Sequence, residues 1–144
     1  MDIYRITKEP IDVASALIDI GDDRAGAQAL FLGTVRNEFE GRASRGLYYD
    51  AYEPLAEKEL RRIGEELKQE FGALHVVLIH RIGDLPLGAV SVLVAVSTGH
   101  RGEAFAAARE GIDRIKSRVP LWKKEHWDDG QDAWHYDPEA SPAK

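Results

Sequence analysis

The residues that could do chemistry are concentrated in KSRVPLWKKE, at positions 116–125, which holds four cations and ends on an acid. An apolar stripe with helical spacing precedes this segment and includes Ile115, so Lys116 falls at the edge of a helix's buried face. A lysine there can keep its stem in apolar packing and its amine in a cleft, where it can act as a nucleophile or carry a proton. The alternative interpretation is an ordinary solvated lysine.

Pro120 divides this segment into two parts. Proline disfavours helical geometry in the residue before it, so the helix is predicted to end there and an extended segment to follow. Side chains alternate between the two faces of a strand, which places Trp122 and Lys123 on opposite faces. Arg118 belongs to the same cationic cluster and is a candidate supporting residue.

Two more segments are candidate anion sites. The sequence STGHR, at 97–101, lies where a predicted strand meets a predicted helix. Free N–H groups at a helix N-terminus bind anions, and His100 and Arg101 would add donors there. Arg36 follows a predicted buried strand, where its guanidinium could bind a phosphate through two hydrogen bonds. The alternatives are a capping histidine and ordinary surface arginines.

The composition excludes several kinds of chemistry. The chain of 144 residues contains no cysteine, so it has no disulfide and no thiolate, and any sulfur it handles must come from outside. Its histidines lack metal-binding spacing, and we expect neither a metal nor a cofactor. Nucleotide-binding glycine motifs are absent. A net charge of −6 with one local basic cluster favours a small anionic ligand over nucleic acid.

The spacing of apolar residues predicts an α+β fold. Helices are predicted over 10–20, 54–71 and 102–118, and strands over 3–6, 27–35, 47–52, 74–82, 89–97 and 121–127. The polar segment 37–46 contains two glycines and is predicted to be a mobile loop. The segment GDLPLG suits a hairpin-like connection between two strands. Strands and helices do not alternate strictly, which disfavours a doubly wound sheet.

The length of the chain fits one domain. We expect this domain to span residues 1–136, followed by a short acidic tail over 137–144 that is frayed. The N-terminal segment lacks the features of a signal peptide, and no stretch approaches the roughly 18 apolar residues of a membrane span. The expected location is therefore the cytoplasm, without membrane association.

Taken together, the motifs resemble one family. They are FLGTVRN (31–37), LYYDAYEPLA (47–56), HRIGDLPLGAVSVLVAVSTGHR (80–101), AF (104–105), IDRIKSRVPLWKKE (112–125) and DG…W (129–134). Their order and spacing are similar to those of the large, catalytic subunit of molybdopterin synthase, over roughly residues 3–136. The element K-x-R-x-P-x-W-K-x-E is the most specific of them.

This resemblance implies an α/β hammerhead fold with an additional antiparallel β subdomain. It implies a sulfurtransferase of molybdenum cofactor biosynthesis that converts cyclic pyranopterin monophosphate (precursor Z) to molybdopterin. The two sulfurs would come from the C-terminal Gly-Gly thiocarboxylate of a small ubiquitin-like subunit. The expected assembly is a heterotetramer with a central homodimer.

The resemblance also implies roles for individual residues. By motif position, Lys116 corresponds to the essential active-site lysine and Lys123 to a second pocket lysine. The anion-binding wall would consist of Arg36, His100 and Arg101. Phe31 and Glu125 also fall on motif positions, as supporting residues.

Two other functions compete with this interpretation. One is a non-catalytic module that binds a small anion or a protein tail. The other is a phosphate-ester hydrolase that uses His100, although the chain lacks the paired carboxylates or metal cluster that such an enzyme needs. Incubation with the pterin phosphate and a thiocarboxylated partner discriminates between them, because only the enzyme makes a dithiolene.

Overall fold

Strands and helices alternate irregularly along the chain. The computed structural model describes residues 1–128, 130 and 133–136, the last four by their backbone alone. In this part of the chain the strands are β1 (Ile3–Thr7), β2 (Ala27–Thr34), β3 (Glu38–Phe39), β4 (Arg42–Ala51), β5 (His75–Arg81), β6 (Gly83–Pro86), β7 (Val90–Thr98), β8 (Leu121–Trp127) and β9 (Ala133–Tyr136). The helices are α1 (Val13–Asp19), α2 (Glu53–Phe71) and α3 (Arg101–Arg118).

The first sheet has the order β1-β5-β7-β2, and only the β1–β5 pair in it is parallel. The central strands β5 and β7 are buried along almost their whole length, as expected for strands covered on both faces. One face packs against α1 through a small apolar cluster that includes Val77 and Leu93. The other face packs against α2 and α3 through the main core, which includes Leu78 and Val94.

The second sheet is antiparallel, with the order β3-β4-β8-β9 and with β6 also paired to β4. The strand β6 lies in the connection between β5 and β7, so this connection leaves the first sheet to join the second. Leu47, Tyr49 and Leu121 of the second sheet belong to the same apolar core as α2, α3 and β7. The two sheets therefore share one core, and the cleft described below lies at their junction.

The mixed α+β class predicted from the sequence is confirmed, but several elements differ from the prediction. First, the segment 37–46 is not a loop: it contains β3 and the start of β4, paired as a hairpin. Its two glycines occupy a turn and an irregularity in strand pairing, at Gly41 and Gly46, rather than a mobile segment. Second, the linker between β5 and β7 forms the strand β6. Third, the backbone of 133–136 adds the strand β9.

The first helix is shorter than the predicted segment 10–20. It begins at Val13 because the Asp12 carboxylate accepts a hydrogen bond from the Ser15 backbone N–H, which makes Asp12 the N-cap. The predicted frayed tail, 137–144, lies outside the described residues. No helix in the described part of the chain is long and apolar enough to cross a membrane.

Close packing of α3 against the first sheet and α2 depends on Gly111. A methyl group at this position would lie 2.9 Å from Val94 Cγ1 and 3.2 Å from Leu67 Cδ1, and both neighbours are fully buried. We predict that Gly111→Ala lowers the free energy of unfolding by about 1–3 kcal/mol, because the buried side chains must shift. Urea-induced unfolding monitored by circular dichroism measures this change.

Gly102→Ala is the matched control in the same helix, because a methyl group there meets no described atom within 4 Å. Alanine favours helices over glycine, so this variant should keep its stability or gain up to about 1 kcal/mol. Equal stability of the two variants would contradict the close-packing role of Gly111.

Candidate active site

A cleft of about 600 Å³ lies where the end of β2 meets the second sheet. Its walls come from the end of β2, the β3–β4 hairpin, β7, the last turn of α3 and β8. The lining residues are 31–36, Glu38, Phe39, Glu40, Leu47, Tyr49, Ser91, Val92, Lys116, Lys123 and Glu125. Five of the residues predicted from the sequence therefore lie around one cavity: Phe31, Arg36, Lys116, Lys123 and Glu125.

The strand β8 supplies two ionisable side chains to the cleft. Its residues alternate between buried and more exposed, so Lys123 and Glu125 share the inward face with Leu121 and Trp127. Lys123 is 8% exposed and Glu125 is 3% exposed. Trp122 lies on the outward face at 39% exposure, which confirms the prediction that it and Lys123 face opposite sides.

The carboxylate of Glu125 is held by a hydroxyl group. Ser44 Oγ lies 2.5 Å from Glu125 Oε2, and Ser44 is itself 3% exposed. The same hydroxyl accepts a hydrogen bond of 3.2 Å from the Gly46 backbone N–H. Hydrogen bonds to ionised groups are shorter and stronger than neutral ones, and a buried carboxylate needs such a donor.

Lys116 enters the cleft from the last turn of α3. The helix packs against β2 and β7, and Ile115 beside the lysine is fully buried, so Lys116 is half-buried at the edge of the packed face. The negative end of the helix dipole favours a cation in this turn. The predicted position of Lys116, at the edge of the apolar stripe, is confirmed.

Arg36 and Phe31 come from the opposite wall. The pairing of β2 with β7 shifts register between Gly33 and Thr34, so the end of β2 departs from a regular strand before the chain reaches Arg36. Arg36 is exposed, and Phe31 is 38% exposed. Both side chains are thus accessible to a molecule that enters the cleft.

The cleft is not uniformly cationic. It contains three cations, Lys116, Lys123 and Arg36, and three acids, Glu38, Glu40 and Glu125. Their burial differs: Glu38 and Glu40 are exposed at the rim, whereas Lys123 and Glu125 are buried. Water screens the rim charges more than the buried ones, so Lys123 and Glu125 dominate the electrostatics of the deep part of the cleft.

The structure separates His100 and Arg101 from this cleft. Both are exposed at the start of α3, and Lys116 lies 15 residues beyond Arg101, or about 22 Å along the helix. His100 is the N-cap residue by position. Within the described range 1–128, which includes the whole of α3, its side chain makes no capping hydrogen bond to the helix. Within one copy of the chain, His100 and Arg101 therefore do not line the cleft that contains Arg36.

Arg118 also faces away from the cleft. Its guanidinium donates four hydrogen bonds of 2.7–3.0 Å to the carboxylates of Glu59 and Glu66 on α2. Arg114, one turn earlier, pairs with Glu66, Glu70 and Glu110. Arg118 thus ties α3 to α2, and its contribution to the site is to hold the helix that carries Lys116.

Several cleft residues had no signal in the sequence. Phe39 stands alone in a polar segment, and its contact with Lys123 depends on the pairing of β3 with β4. Ser44, which contacts the cleft residue Glu125, belongs to none of the sequence motifs. Among the described residues, no group of three or more His, Asp or Glu side chains could hold a metal ion.

Comparison with known proteins gives the family. The model of the MoaE protein family matches residues 6–118. The chain belongs to the MoaE family. A relative from Aspergillus niger, a molybdopterin synthase catalytic subunit, is 46% identical over 90% of this chain and 72% of its own length. The prediction of the family from the sequence motifs is confirmed.

Solved structures of MoaE proteins and related complexes have the same fold. The crystal structure of molybdopterin synthase from Staphylococcus aureus matches with a TM-score of 0.86 at 39% identity, over 92% of this chain and 96% of that chain. A complex of subunits 1 and 2 of the molybdopterin-converting factor from Helicobacter pylori matches with a TM-score of 0.74 at 23% identity, over 95% and 91% of the two chains.

The ion pairs between α2 and α3 make stability depend on pH. The hydrogen bond from Arg118, followed by the Arg118 charge, lowers the pKa of Glu66 below its ordinary value of 4.5, against the opposing effect of burial. A lowered carboxyl pKa contributes stability above the unfolded-state pKa and loses it as the pH falls. We predict that Arg118→Leu loses about 1 kcal/mol at pH 7, and that this loss shrinks below pH 4.5.

Urea unfolding of both proteins at pH 7 and pH 4 measures this difference. Arg109→Leu is the control in the same helix. Arg109 is 84% exposed, and its ion pair with Asp113 is long, at 3.7 Å. The control substitution should change stability little at either pH. If Arg118→Leu lowers the free energy of unfolding equally at pH 7 and pH 4, the ion pairs are not the cause of the loss.

Proposed function

We propose that this chain is the catalytic subunit of a molybdopterin synthase and that the cleft is its active site. The reaction is the conversion of cyclic pyranopterin monophosphate to molybdopterin, with two sulfurs supplied in two transfers, each from one thiocarboxylate on a small partner subunit that is left as a carboxylate. The observation that carries the proposal is that a MoaE-family chain brings Lys116, Lys123 and Arg36 to one cavity. The absence of cysteine supports an external sulfur donor.

In this proposal the deep part of the cleft receives the tail of the small subunit. A thiocarboxylate is an anion, and Lys116 and Lys123 are the two more buried of the three cations that line the cleft. A tail that ends in Gly-Gly suits such a cavity, because backbone without side chains can pass a narrow entrance. The Helicobacter pylori complex, whose name includes two subunits, agrees with a partner of this kind.

Arg36 is proposed to bind the phosphate of the substrate at the rim, where its guanidinium can form two parallel hydrogen bonds. His100 and Arg101 can take part only from a second copy of the chain, since about 22 Å of helix separates them from Lys116 in the same copy. A central homodimer supplies such a copy. Phe105, which is 70% exposed one turn from Arg101, is an apolar side chain that this contact could cover.

Two roles for Lys116 fit this site. Its amine can attack the thiocarboxylate carbonyl, which forms an amide, breaks the C–S bond and releases the sulfur as hydrosulfide for the substrate, or it can carry protons while sulfur is transferred. Lys123 is proposed to hold the negative charge of the tail or of the developing intermediate. The hammerhead description of the fold, the heterotetramer and the cytoplasmic location remain parts of this proposal.

We predict that Lys116→Ala folds normally and loses most of its activity, because its amine acts on the reacting group. The assay is dithiolene formation from the pterin phosphate with a thiocarboxylated small subunit. Lys124→Ala is the control, because Lys124 lies on the outward face of β8, over the ring of Tyr48. Near-normal turnover by Lys116→Ala would remove this lysine from the mechanism.

The chain alone should not make product from the pterin phosphate, even with free sulfide at ordinary concentrations, because it has no sulfur-carrying group. Activity should appear when a thiocarboxylated small subunit is added, and it should disappear when the two terminal glycines of that subunit are removed. Binding without product in the complete mixture would favour the non-catalytic module instead. Efficient product formation without the partner would overturn the two-subunit reaction.

A further inference from the structure

The β3–β4 hairpin places three side chains on the inward face of β8. Phe39 meets Lys123, Ser44 meets Glu125, and Arg42 meets Trp127, so each contact lies on the next inward residue of the strand. We propose that this hairpin is part of the active site, with Phe39 and Ser44 as positioning residues for Lys123 and Glu125. The inference rests on the proposed function, in which the cleft is the site of the reaction.

The geometry of the hairpin fixes where these side chains lie. Glu38 pairs with Ala43 and Phe39 with Arg42, which leaves Glu40 and Gly41 as a two-residue turn. Both turn residues have positive φ, of 52° and 80°, as in the type I′ turn that matches the twist of paired strands. The hairpin is therefore a built element of defined register, and the ring of Phe39 has a set position over the cleft.

Phe39 contacts the amine of Lys123, which lines the cleft. Lys123 Nζ lies 4.3 Å from the centroid of the Phe39 ring. The face of an aromatic ring carries partial negative charge, and its attraction for an ammonium increases when water is excluded, as it is around Lys123. The lysine side chain has many rotamers, so this contact selects the ones that keep the amine in the cleft.

The hairpin also contacts β8 through Arg42, the residue paired with Phe39. The guanidinium carbon of Arg42 lies 3.9 Å from the centroid of a Trp127 ring, and the Phe39 and Trp127 rings are 6.1 Å apart. Neither apolar core of the described residues includes Phe39. The ring therefore lies outside both cores and contacts Lys123 and Trp127 on the inward face of β8.

Ser44 fixes the direction of the Glu125 carboxylate. Its oxygen accepts from the Gly46 N–H at 3.2 Å, which leaves its single proton for one acceptor. The candidates are Glu125 Oε2 at 2.5 Å and the Gly46 carbonyl oxygen at 3.0 Å, and the nearer oxygen, Glu125 Oε2, is the stronger acceptor. The Glu125 side chain is thus held in one orientation, two residues from Lys123.

Fluorination of Phe39 tests its role directly, because fluorine weakens the negative face of the ring with little change in its shape. Phenylalanine with one, two and three fluorines is placed at position 39, and synthase activity is measured with the small subunit present. Activity should fall stepwise, by roughly two- to thirtyfold at three fluorines. The same series at Phe71, at the end of α2, is the control.

Activity that is independent of fluorination at position 39 would overturn the role of Phe39. Lys123→Met separates this failure from a failure of the proposed site. An inactive Lys123→Met with a flat fluorination series rejects the positioning contact alone, whereas a fully active Lys123→Met rejects the site and the contact together. A ring-current shift of the Lys123 ε-methylene protons, lost in Phe39→Leu, is the expected spectroscopic signature.

Ser44→Thr and Ser44→Val test the second contact, because they add the same bulk and differ in the hydroxyl. Ser44→Thr should retain most activity, and Ser44→Val should lose about tenfold or more in kcat when both are assayed below their melting temperatures. Ser44→Ala adds no bulk and should show the same loss if the larger variants do not fold. Equal activity of wild type and Ser44→Ala would overturn the positioning of Glu125.

Discussion

The site depends on the way the chain changes from helix to strand around Pro120. The proline prevents helical geometry at Val119, whose φ of −79° and ψ of 124° are extended, so α3 ends at Arg118 and β8 begins at Leu121. This short connection brings the last turn of a helix and the inward face of a strand to the same cavity. Lys116 and Lys123, which are seven residues apart, thereby line one cleft from two directions.

Placing charges on the inward face of β8 is costly, and the surroundings are arranged to offset that cost. A buried ion loses hydration, so Lys123 and Glu125 need neighbours that replace water. Phe39 supplies a π face to the ammonium, and Ser44 supplies a hydroxyl to the carboxylate. Both neighbours come from one hairpin, which links the fold of the second sheet to the chemistry of the cleft.

The periodicity of the sequence correctly predicted which face of a helix or strand carries a side chain. The position of Lys116 followed from the apolar stripe of α3, and the opposite faces of Trp122 and Lys123 followed from strand alternation. The same helical period could have placed Arg118, because two residues turn about 200° around a helix and point it away from Lys116.

Contacts between distant segments could not be predicted from the sequence. Ser44 and Glu125 are 81 positions apart, and neither residue type indicates that they form a hydrogen bond. The glycines of segment 37–46 suggested a loop because turns and irregular strand pairings use the same residue as disordered segments do. The separation of His100 from Lys116 is different, because the helix predicted over 102–118 lies between them and its length could have shown that they do not meet in one chain.

The most direct test is a crystal structure of this chain with its small subunit and the pterin phosphate bound. We predict that the terminal group of the tail lies in the cleft, with its anionic atoms about 2.7–2.9 Å from the Lys116 or Lys123 amine. We also predict that the phosphate lies beside Arg36. A tail or a substrate bound outside the cleft, with both lysines contacting only the protein or water, would contradict the assignment of the active site.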